Sequence, residues 1–262
     1  MTDTHRQFFG NLAGDGYGTR ADRPPLLLLH GLTYDRRQWG PLLDALALKD
    51  PDRRILALDL PGHGQSPRLD SYHAAELVAA VHHAVTDADL KAPILVGHSA
   101  GGVLATIYAA THPATGVVNL DQPLLSAGFA GVLRRAEPVL RSPDFLQVWD
   151  QLRAGMHIDL LPEAARKLVE NATTPRQDLL LGYWDELLTV PAEELDKQRT
   201  RELDAIRTNG TAYHHVSGHE LDPTYQRWLQ TALPEAAITV LPDSGHFPHL
   251  AHPAELASIL AS

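Results

Sequence analysis

The chain of 262 residues contains no cysteine, which excludes disulfide bonds, thiolate metal sites and a cysteine nucleophile. It also has no apolar run of the roughly 20 residues that a membrane-spanning helix requires. The N-terminal segment carries an acid, Asp3, and lacks the apolar stretch that is typical of a secretory signal. We therefore expect a cytoplasmic protein without a membrane partner, in which any covalent catalysis uses a side chain other than cysteine.

Positive charge is also scarce, because 22 Lys and Arg residues face 32 Asp and Glu residues and give a net charge of -10. Binding to nucleic acid needs clustered basic side chains that replace the counterions of the phosphates, so no nucleic-acid partner is expected. The 44% of hydrophobic residues and 21% of charged residues are typical of a folded globular protein. We expect a small-molecule substrate and a monomer or homodimer.

Short apolar runs alternate with helical patterns, an order that predicts a mostly parallel sheet covered by helices on both faces. The runs are almost continuous in Leu, Ile, Val and Ala, which is typical of strands buried on both faces. We predict an α/β fold with a doubly wound, mostly parallel, eight-stranded sheet. Its predicted strands cover residues 25–29, 54–59, 93–97, 116–120, 212–216 and 237–241, with two antiparallel edge strands within residues 6–17.

A purely helical pattern replaces this alternation between residues 124 and 200, where apolar side chains recur at helical spacing. We predict that residues 124–200 form an inserted helical cap on a core made of residues 1–123 and 201–262. The cap is expected to provide an apolar wall for a substrate pocket. The candidate lining residues are Phe129, Trp149, Met156, Tyr183 and Trp184, although aromatic residues at this spacing more often pack within a core.

A cluster of glycines around one serine, Gly97-His98-Ser99-Ala100-Gly101, lies between a predicted strand and a predicted helix. This context is typical of the G-x-S-x-G nucleophile elbow, in which the serine sits on a tight, strained turn. The helix that begins near Ala100 would direct N–H groups toward an oxyanion formed on the carbonyl that Ser99 attacks. A glycine-rich turn with no catalytic role can have the same pattern. The interpretation of Ser99 as a nucleophile therefore depends on the neighbouring motifs.

Two further motifs follow the two earlier strands of the predicted parallel sheet. His30-Gly31-Leu32 ends one strand, and Asp59-Leu60-Pro61-Gly62-His63-Gly64-Gln65-Ser66 follows the next. The carboxyl ends of parallel strands meet at one edge of the sheet, where ligands bind. We therefore expect the Leu32 and Ala100 N–H groups to form an oxyanion hole, with His30, Gly31 and His98 in the substrate pocket.

Together, the ordered patterns "HG", "DxPGxGxS" and "GxSxG" resemble those of capped members of the α/β-hydrolase superfamily, and the resemblance extends from "LLLLHG" to "GHFPHLAHPAEL". The resemblance implies the α/β-hydrolase fold with Ser99 as nucleophile and His246 as base, and it implies no cofactor. A dinucleotide cofactor is further disfavoured because the glycines of residues 14–18 precede the first parallel strand and open no helix.

A metal site is a second possible interpretation of the histidine loop, because His246, His249 and His252 are spaced three residues apart. Pro248 and Pro253 interrupt this segment, and it contains no H-E-x-x-H pattern. We therefore predict no metal, and we interpret the histidines at positions 214, 215 and 219 as ordinary strand or loop residues.

The acid of the triad has more than one candidate. Most α/β-hydrolase relatives carry it in the later loop, at the position that corresponds to Leu221, which lies between Glu220 and Asp222. A minority, including lactonases of the zearalenone-degrading type, carry it after the earlier strand, and "NLDQP" resembles their segment. We predict Asp121, with Asp222 or Glu220 as the alternative. Asp222 also fits a helix N-cap before Pro223.

These patterns predict a serine hydrolase that cleaves an ester or lactone bond of a partly apolar small molecule through an acyl-enzyme. The resemblance leaves a carbon–carbon bond hydrolase, a thioesterase or a haloperoxidase-like enzyme open. A serine at the elbow disfavours the epoxide hydrolases and haloalkane dehalogenases, which use a carboxylate nucleophile. A non-catalytic ligand receptor with the same pocket is the alternative from another class, because fold does not fix function.

Overall fold

The computed structural model describes residues 6–262, which form an eight-stranded sheet with the strand order β1-β2-β4-β3-β5-β6-β7-β8. β1 and β2 are antiparallel, and β3 to β8 run parallel to one another. The predicted doubly wound, mostly parallel sheet is confirmed. The strands are β1 (Arg6–Phe9), β2 (Leu12–Tyr17), β3 (Leu26–Leu29), β4 (Ile55–Leu58), β5 (Ile94–His98), β6 (Gly116–Leu120), β7 (Ala212–Ser217) and β8 (Ala237–Val240).

Twelve α-helices surround or extend this sheet within the described residues. They are α1 (Gly40–Lys49), α2 (Ala74–Asp87), α3 (Ala100–Thr111), α4 (Ala127–Leu140), α5 (Leu146–Ala154), α6 (Glu163–Ala172), α7 (Gln177–Tyr183), α8 (Asp185–Thr189), α9 (Ala192–Thr208), α10 (Pro223–Ala232), α11 (Pro248–Ala251) and α12 (Pro253–Ala261). None of them is both long enough and apolar enough to cross a membrane.

The two faces of the sheet are covered by different helices, and β3 shows how one strand serves both. Leu26 and Leu28 pack in a cluster with side chains of α1 and α12, whereas Leu27 and Leu29 pack in a second cluster with side chains of α2 and α3. Successive side chains of a strand point to opposite faces, so four consecutive leucines fill both cores. The chain passes from β4 to β5 across β3, and this reversal of strand order opens a crevice at the carboxyl ends of β3 and β5.

Residues between β6 and β7 are helical, and this region contains α4 to α9 with no strand among them. Its last helix, α9, continues to Thr208 and therefore crosses residue 200, where the sequence pattern placed the end of the insertion. Leu203 and Ile206 are fully buried in the same cluster as residues of α3, and this packing extends the helix beyond residue 200. The first half of α9 belongs to the helical region between β6 and β7, and its second half packs in the sheet core.

Candidate active site

Ser99 occupies a strained turn between β5 and α3. Its backbone has φ 52° and ψ -123°, a positive-φ conformation that non-glycine residues rarely adopt. The turn also depends on its glycines, because a Cβ at Gly101 would lie 2.1 Å from the Leu29 oxygen, and one at Gly97 would lie 2.2 Å from the Gly101 oxygen. The glycines of the G-x-S-x-G pattern thus allow three backbone segments to approach one another beneath Ser99.

The two N–H groups predicted to form an oxyanion hole belong to residues that line the same cavity as Ser99. Ala100 opens α3, and Leu32 follows β3. Within residues 6–262, neither N–H donates a hydrogen bond to another protein group. A helix N-terminus carries a partial positive charge, so the Ala100 N–H is suited to face a developing anion.

Two buried histidines hold the loop that carries Leu32. His30 Nε2 accepts a hydrogen bond from the Leu60 N–H at 2.9 Å, and His63 Nε2 accepts one from the Thr33 N–H at 3.0 Å. Each Nδ1 must therefore carry the ring proton, which His30 donates to the Gly31 oxygen and His63 to the Pro61 oxygen. Burial lowers the pKa of His30, and burial lowers the pKa of His63 to about 3.

The DxPGxGxS segment is bonded, through Asp59, to the chain that follows this loop. The Asp59 carboxylate accepts hydrogen bonds at 2.9 Å from the N–H groups of Arg36 and Gln65, and it pairs with the Arg36 guanidinium. A Cβ at Gly64 would lie 2.1 Å from the Asp59 carboxylate, so the glycine leaves room for this anchor. The segment fixes the edge of the site without reaching the cavity.

His246 and Asp121 form a hydrogen-bonded pair at the cavity that Ser99 lines. The Nδ1 of His246 lies 2.8 Å from Oδ2 of Asp121, and both residues line the cavity that Ser99 lines. Because Nδ1 faces a carboxylate, it carries the proton, and Nε2 is left as the nitrogen that can accept one. The His246 N–H donates to the Met156 oxygen at 3.0 Å, which ties the histidine loop to the helical region.

Asp121 is held rigidly at the end of β6. Its Oδ1 accepts hydrogen bonds at 3.0 Å from the Ser217 hydroxyl and from the Gly218 N–H. Burial alone would raise the pKa of this carboxyl, but the hydrogen bond from His246, the His246 charge and the Gly218 N–H outweigh it and lower the pKa to about 2. Asp121 is therefore an ionised acceptor at every physiological pH, as a group that orients a histidine must be.

The alternative acids lie elsewhere. Asp222 is exposed and caps α10, accepting hydrogen bonds from the Thr224 N–H at 2.8 Å and the Tyr225 N–H at 3.1 Å. Glu220 is exposed, and neither it nor Asp222 has a hydrogen bond or ion pair with His246 among the described residues. The structure therefore joins His246 to Asp121 and assigns Asp222 to the helix end.

The cavity above Ser99 has a volume of about 680 Å³ and mostly apolar walls. Phe129, Trp149, Met156, Tyr183 and Trp184 of the helical region all line it. The sequence reasoning missed several other residues of the wall. They are Tyr34, Val103, Leu104, Gln122, Pro123, Leu124, Leu125, Ser126, Leu152, Gly155, His157, Glu186, Leu187, Leu195, Arg199, His219 and Gly245.

Three residues predicted for the pocket do not line this cavity, and the prediction is corrected for them. His30 and His98 are completely buried, and Gly31 packs against the His98 ring, where a Cβ would lie 2.8 Å from Nδ1. His98 Nε2 donates to the His246 oxygen at 2.8 Å. These residues neighbour Leu32 and Ser99 in sequence, but they face the interior, and His98 supports the backbone of the histidine loop.

His249 extends this interior histidine layer and makes the fold sensitive to acid. Its ring centre lies 4.5 Å from that of His98 and 4.9 Å from that of Trp39, and its ring nitrogens have no hydrogen-bond partner among residues 6–262. Burial, together with the His246 charge, lowers its pKa to about 3. The unfolded chain takes up this proton near pH 6.5, so the stability that the neutral ring confers is complete above that pH and is lost as the pH falls from 6.5 toward 3.

We accordingly expect His249→Phe to flatten the pH dependence of stability. Between pH 7 and 5, the free energy of unfolding of the unmodified protein should fall by about 2 kcal/mol more than that of the variant. Urea denaturation at both pH values measures this difference, and His83→Gln, on the exposed side of α2, provides the control. An identical pH dependence in the His249 variant would show that this ring is not held neutral.

Comparison with known proteins agrees with this fold. A model of the alpha/beta hydrolase family matches residues 26–259. The 2-succinyl-6-hydroxy-2,4-cyclohexadiene-1-carboxylate synthase of Enterobacter sp. (strain 638) is 28% identical over 258 residues, which cover 93% of each chain. An sn-1-specific diacylglycerol lipase of Xenopus tropicalis is 33% identical over 111 residues, covering 42% of this chain and 34% of the lipase.

Among solved structures, a variant of AqdC in complex with its substrate superposes with a TM-score of 0.78 at 19% sequence identity. The superposition covers 95% of this chain and 94% of that protein, which is described as cleaving the ring of the Pseudomonas quinolone signal. At this level of identity the likeness concerns the fold. The family match over most of the length, the shared sheet and the elbow serine together show that the chain belongs to the alpha/beta hydrolase family.

Proposed function

We propose that the protein is a serine hydrolase that cleaves an ester or lactone of a partly apolar small molecule through an acyl-enzyme intermediate. The observation that carries this proposal is the pairing of His246 with the ionised Asp121 at the cavity that Ser99 lines. A serine hydroxyl is a weak nucleophile until a base removes its proton, and the base must be held in one orientation and tautomer. The 2.8 Å contact to Asp121 supplies both constraints.

In the proposed reaction, His246 Nε2 takes the proton of the Ser99 hydroxyl while the oxygen attacks the substrate carbonyl. The Leu32 and Ala100 N–H groups stabilise the resulting oxyanion, and His246 then gives its proton to the leaving alcohol. Water, deprotonated by the same nitrogen, then attacks the acyl-enzyme, and His246 returns this proton to the Ser99 oxygen as the acid leaves. Asp121 keeps its negative charge throughout and stabilises the imidazolium that forms once in each of the two steps.

The helical region α4 to α9 is proposed to act as the cap over this site. It contributes Phe129, Trp149 and Trp184 to the cavity, and these large rings favour an apolar substrate portion. The lipase from Xenopus tropicalis, by its name, acts on an acyl ester, which supports ester chemistry for the part of the chain that the match covers. The proposed units are a core of residues 1–123 and 201–262 with a cap of residues 124–200, whose last helix continues into the core.

A series of p-nitrophenyl esters with increasing acyl length, together with small and macrocyclic lactones, tests this proposal. We expect kcat/KM to rise about two- to fourfold per added methylene until the cavity is filled, because each buried methylene contributes about 0.8 kcal/mol. The Ser99→Ala protein gives the background rate. A profile that is flat with acyl length would contradict an apolar acyl pocket, and absence of all turnover from the folded protein would contradict ester hydrolysis.

A further inference from the structure

One arginine side chain lies in the mostly apolar wall of the cavity. Arg199 is the only arginine or lysine among the cavity-lining residues of the described chain, and it is 5% exposed. It lies on α9 one helical turn after Leu195, which lines the same cavity. Removing a charged group from water costs free energy unless partners compensate for the lost hydration. The contacts of Arg199 therefore indicate its role.

The guanidinium of Arg199 has one ionic contact and no hydrogen bond. Its Nη1 lies 2.7 Å from Oε2 of Glu202 in an ion pair, and neither atom has another partner within residues 6–262. Arginine has five N–H donors, and buried donors are nearly always satisfied. The other N–H groups of Arg199 have no hydrogen-bond partner within residues 6–262, so they are available to a ligand in the cavity that this residue lines.

The charges around Arg199 restrict which ligand fits. Glu202 balances the guanidinium, and its other oxygen, Oε1, accepts a hydrogen bond from Gln198 at 3.1 Å. Glu186 also lines the cavity and is near enough for its negative charge to raise the pKa of Glu202, adding to the larger effect of burial. A ligand carboxylate at Arg199 would be repelled by two glutamates, whereas an uncharged oxygen would accept a hydrogen bond without this repulsion.

Arg199 and Ser99 line the same cavity from different elements, since Arg199 lies on α9 and Ser99 immediately precedes α3. α9 packs against α3, and Val103 and Leu104 line the cavity between the two positions.

We propose that Arg199 is a specificity-determining residue that donates hydrogen bonds to an uncharged oxygen of the substrate, a hydroxyl or a carbonyl, remote from the bond that is cleaved. The substrate class is then an ester or lactone with an apolar chain and one distant oxygen substituent. This inference rests on the proposed hydrolase function where it concerns the rate of ester or lactone cleavage. Binding of the substrate oxygen to Arg199 requires only the cavity and not hydrolysis.

The kinetic test compares p-nitrophenyl octanoate with three analogues that carry a terminal hydroxyl, an oxo group near the end, or a terminal carboxylate. The variant is Arg199→Met combined with Glu202→Gln, because removal of one member of a buried pair would leave a charge unpaired and endanger folding. Arg207→Met, an exposed position on the same helix, is the matched control.

We expect the ratio of kcat/KM for the hydroxyl or oxo ester to that for the plain ester to fall about 10- to 100-fold in the double variant, the range for a hydrogen bond to a charged donor. The Arg207→Met protein should keep the ratio of the unmodified protein. An unchanged ratio in the double variant would overturn the role of Arg199. Preference for the carboxylate ester would overturn the assignment of an uncharged oxygen.

Binding provides a readout that does not depend on hydrolysis. Calorimetry with octanol, an uncharged hydroxyl ligand, should give about tenfold weaker binding to the double variant than to the unmodified or Arg207→Met protein. Equal affinities would contradict the inference even if no ester were turned over. Conversely, weaker octanol binding without turnover would support the Arg199 subsite and count against the proposed hydrolase.

Discussion

Replacement of Ser99 by alanine is expected to lower kcat/KM for the best ester or lactone of the series by about 10⁴- to 10⁶-fold. Without the hydroxyl, no acyl-enzyme forms, and the remaining rate comes from binding and from the N–H groups of Leu32 and Ala100. The backbone conformation at residue 99, with φ 52°, is enforced by the packing of the neighbouring glycines rather than by the side chain. The variant should therefore fold, which circular dichroism and a melting curve can verify.

Ser126→Ala is a matched control for this experiment. Ser126 lines the same cavity, but its hydroxyl lies 2.8 Å from Asp196 and it does not follow the elbow pattern. Its loss should change kcat/KM by less than about tenfold. Comparable losses in both variants would indicate a general effect on the cavity, and full activity of Ser99→Ala would eliminate the acyl-enzyme mechanism.

The second large effect is expected at Asp121. Asp121→Asn should lower kcat by about 10³- to 10⁴-fold with a much smaller change in KM, because the amide can donate to His246 Nδ1 and favours the wrong tautomer. The asparagine keeps the shape of the side chain, and its oxygen can still accept from the Gly218 N–H. Steady-state kinetics on the variant, with a melting curve to verify folding, measures the loss.

Asp222→Ala separates the two candidate acids. Asp222 caps α10 through two backbone N–H groups, so its replacement should lower the midpoint of chemical denaturation slightly and leave kcat near its original value. The opposite pattern, with activity lost in Asp222→Ala and retained in Asp121→Asn, would assign the catalytic acid to the later loop. Chemical denaturation and kinetics on the same two preparations distinguish these outcomes.

The sheet was predictable because its strands are short and almost purely apolar, as strands buried on both faces must be. Leu26–Leu29 and Gly116–Leu120 are examples, and the structure has strands with these bounds or bounds within two residues of the predicted ones. The elbow was predictable because only glycine at positions 97 and 101 allows the backbone to pass so closely. These features depend on local sequence, which a reading of the chain can evaluate.

The direction of individual side chains was less predictable. His98 adjoins Ser99 and His30 adjoins the loop of Leu32, yet both rings face the interior. There the His246 oxygen accepts a hydrogen bond from His98, and the Leu60 N–H donates one to His30. The pairing of Asp121 with His246 joins residues that are 125 positions apart, and sequence could only narrow it to a few candidates. Arg199 carried no signal in the helical pattern, since an arginine on a helix is ordinarily exposed.

Covalent labelling tests the central proposal most directly, since it requires no knowledge of the natural substrate. An organofluorophosphonate reacts with a serine hydroxyl that a neighbouring base activates, and mass spectrometry of the digested protein locates the adduct. The account predicts one adduct, on the peptide that contains Ser99, no adduct in Ser99→Ala, and labelling at least about 100-fold slower in His246→Ala. Absence of an adduct on Ser99 in the folded protein, or equally fast labelling without His246, would contradict it.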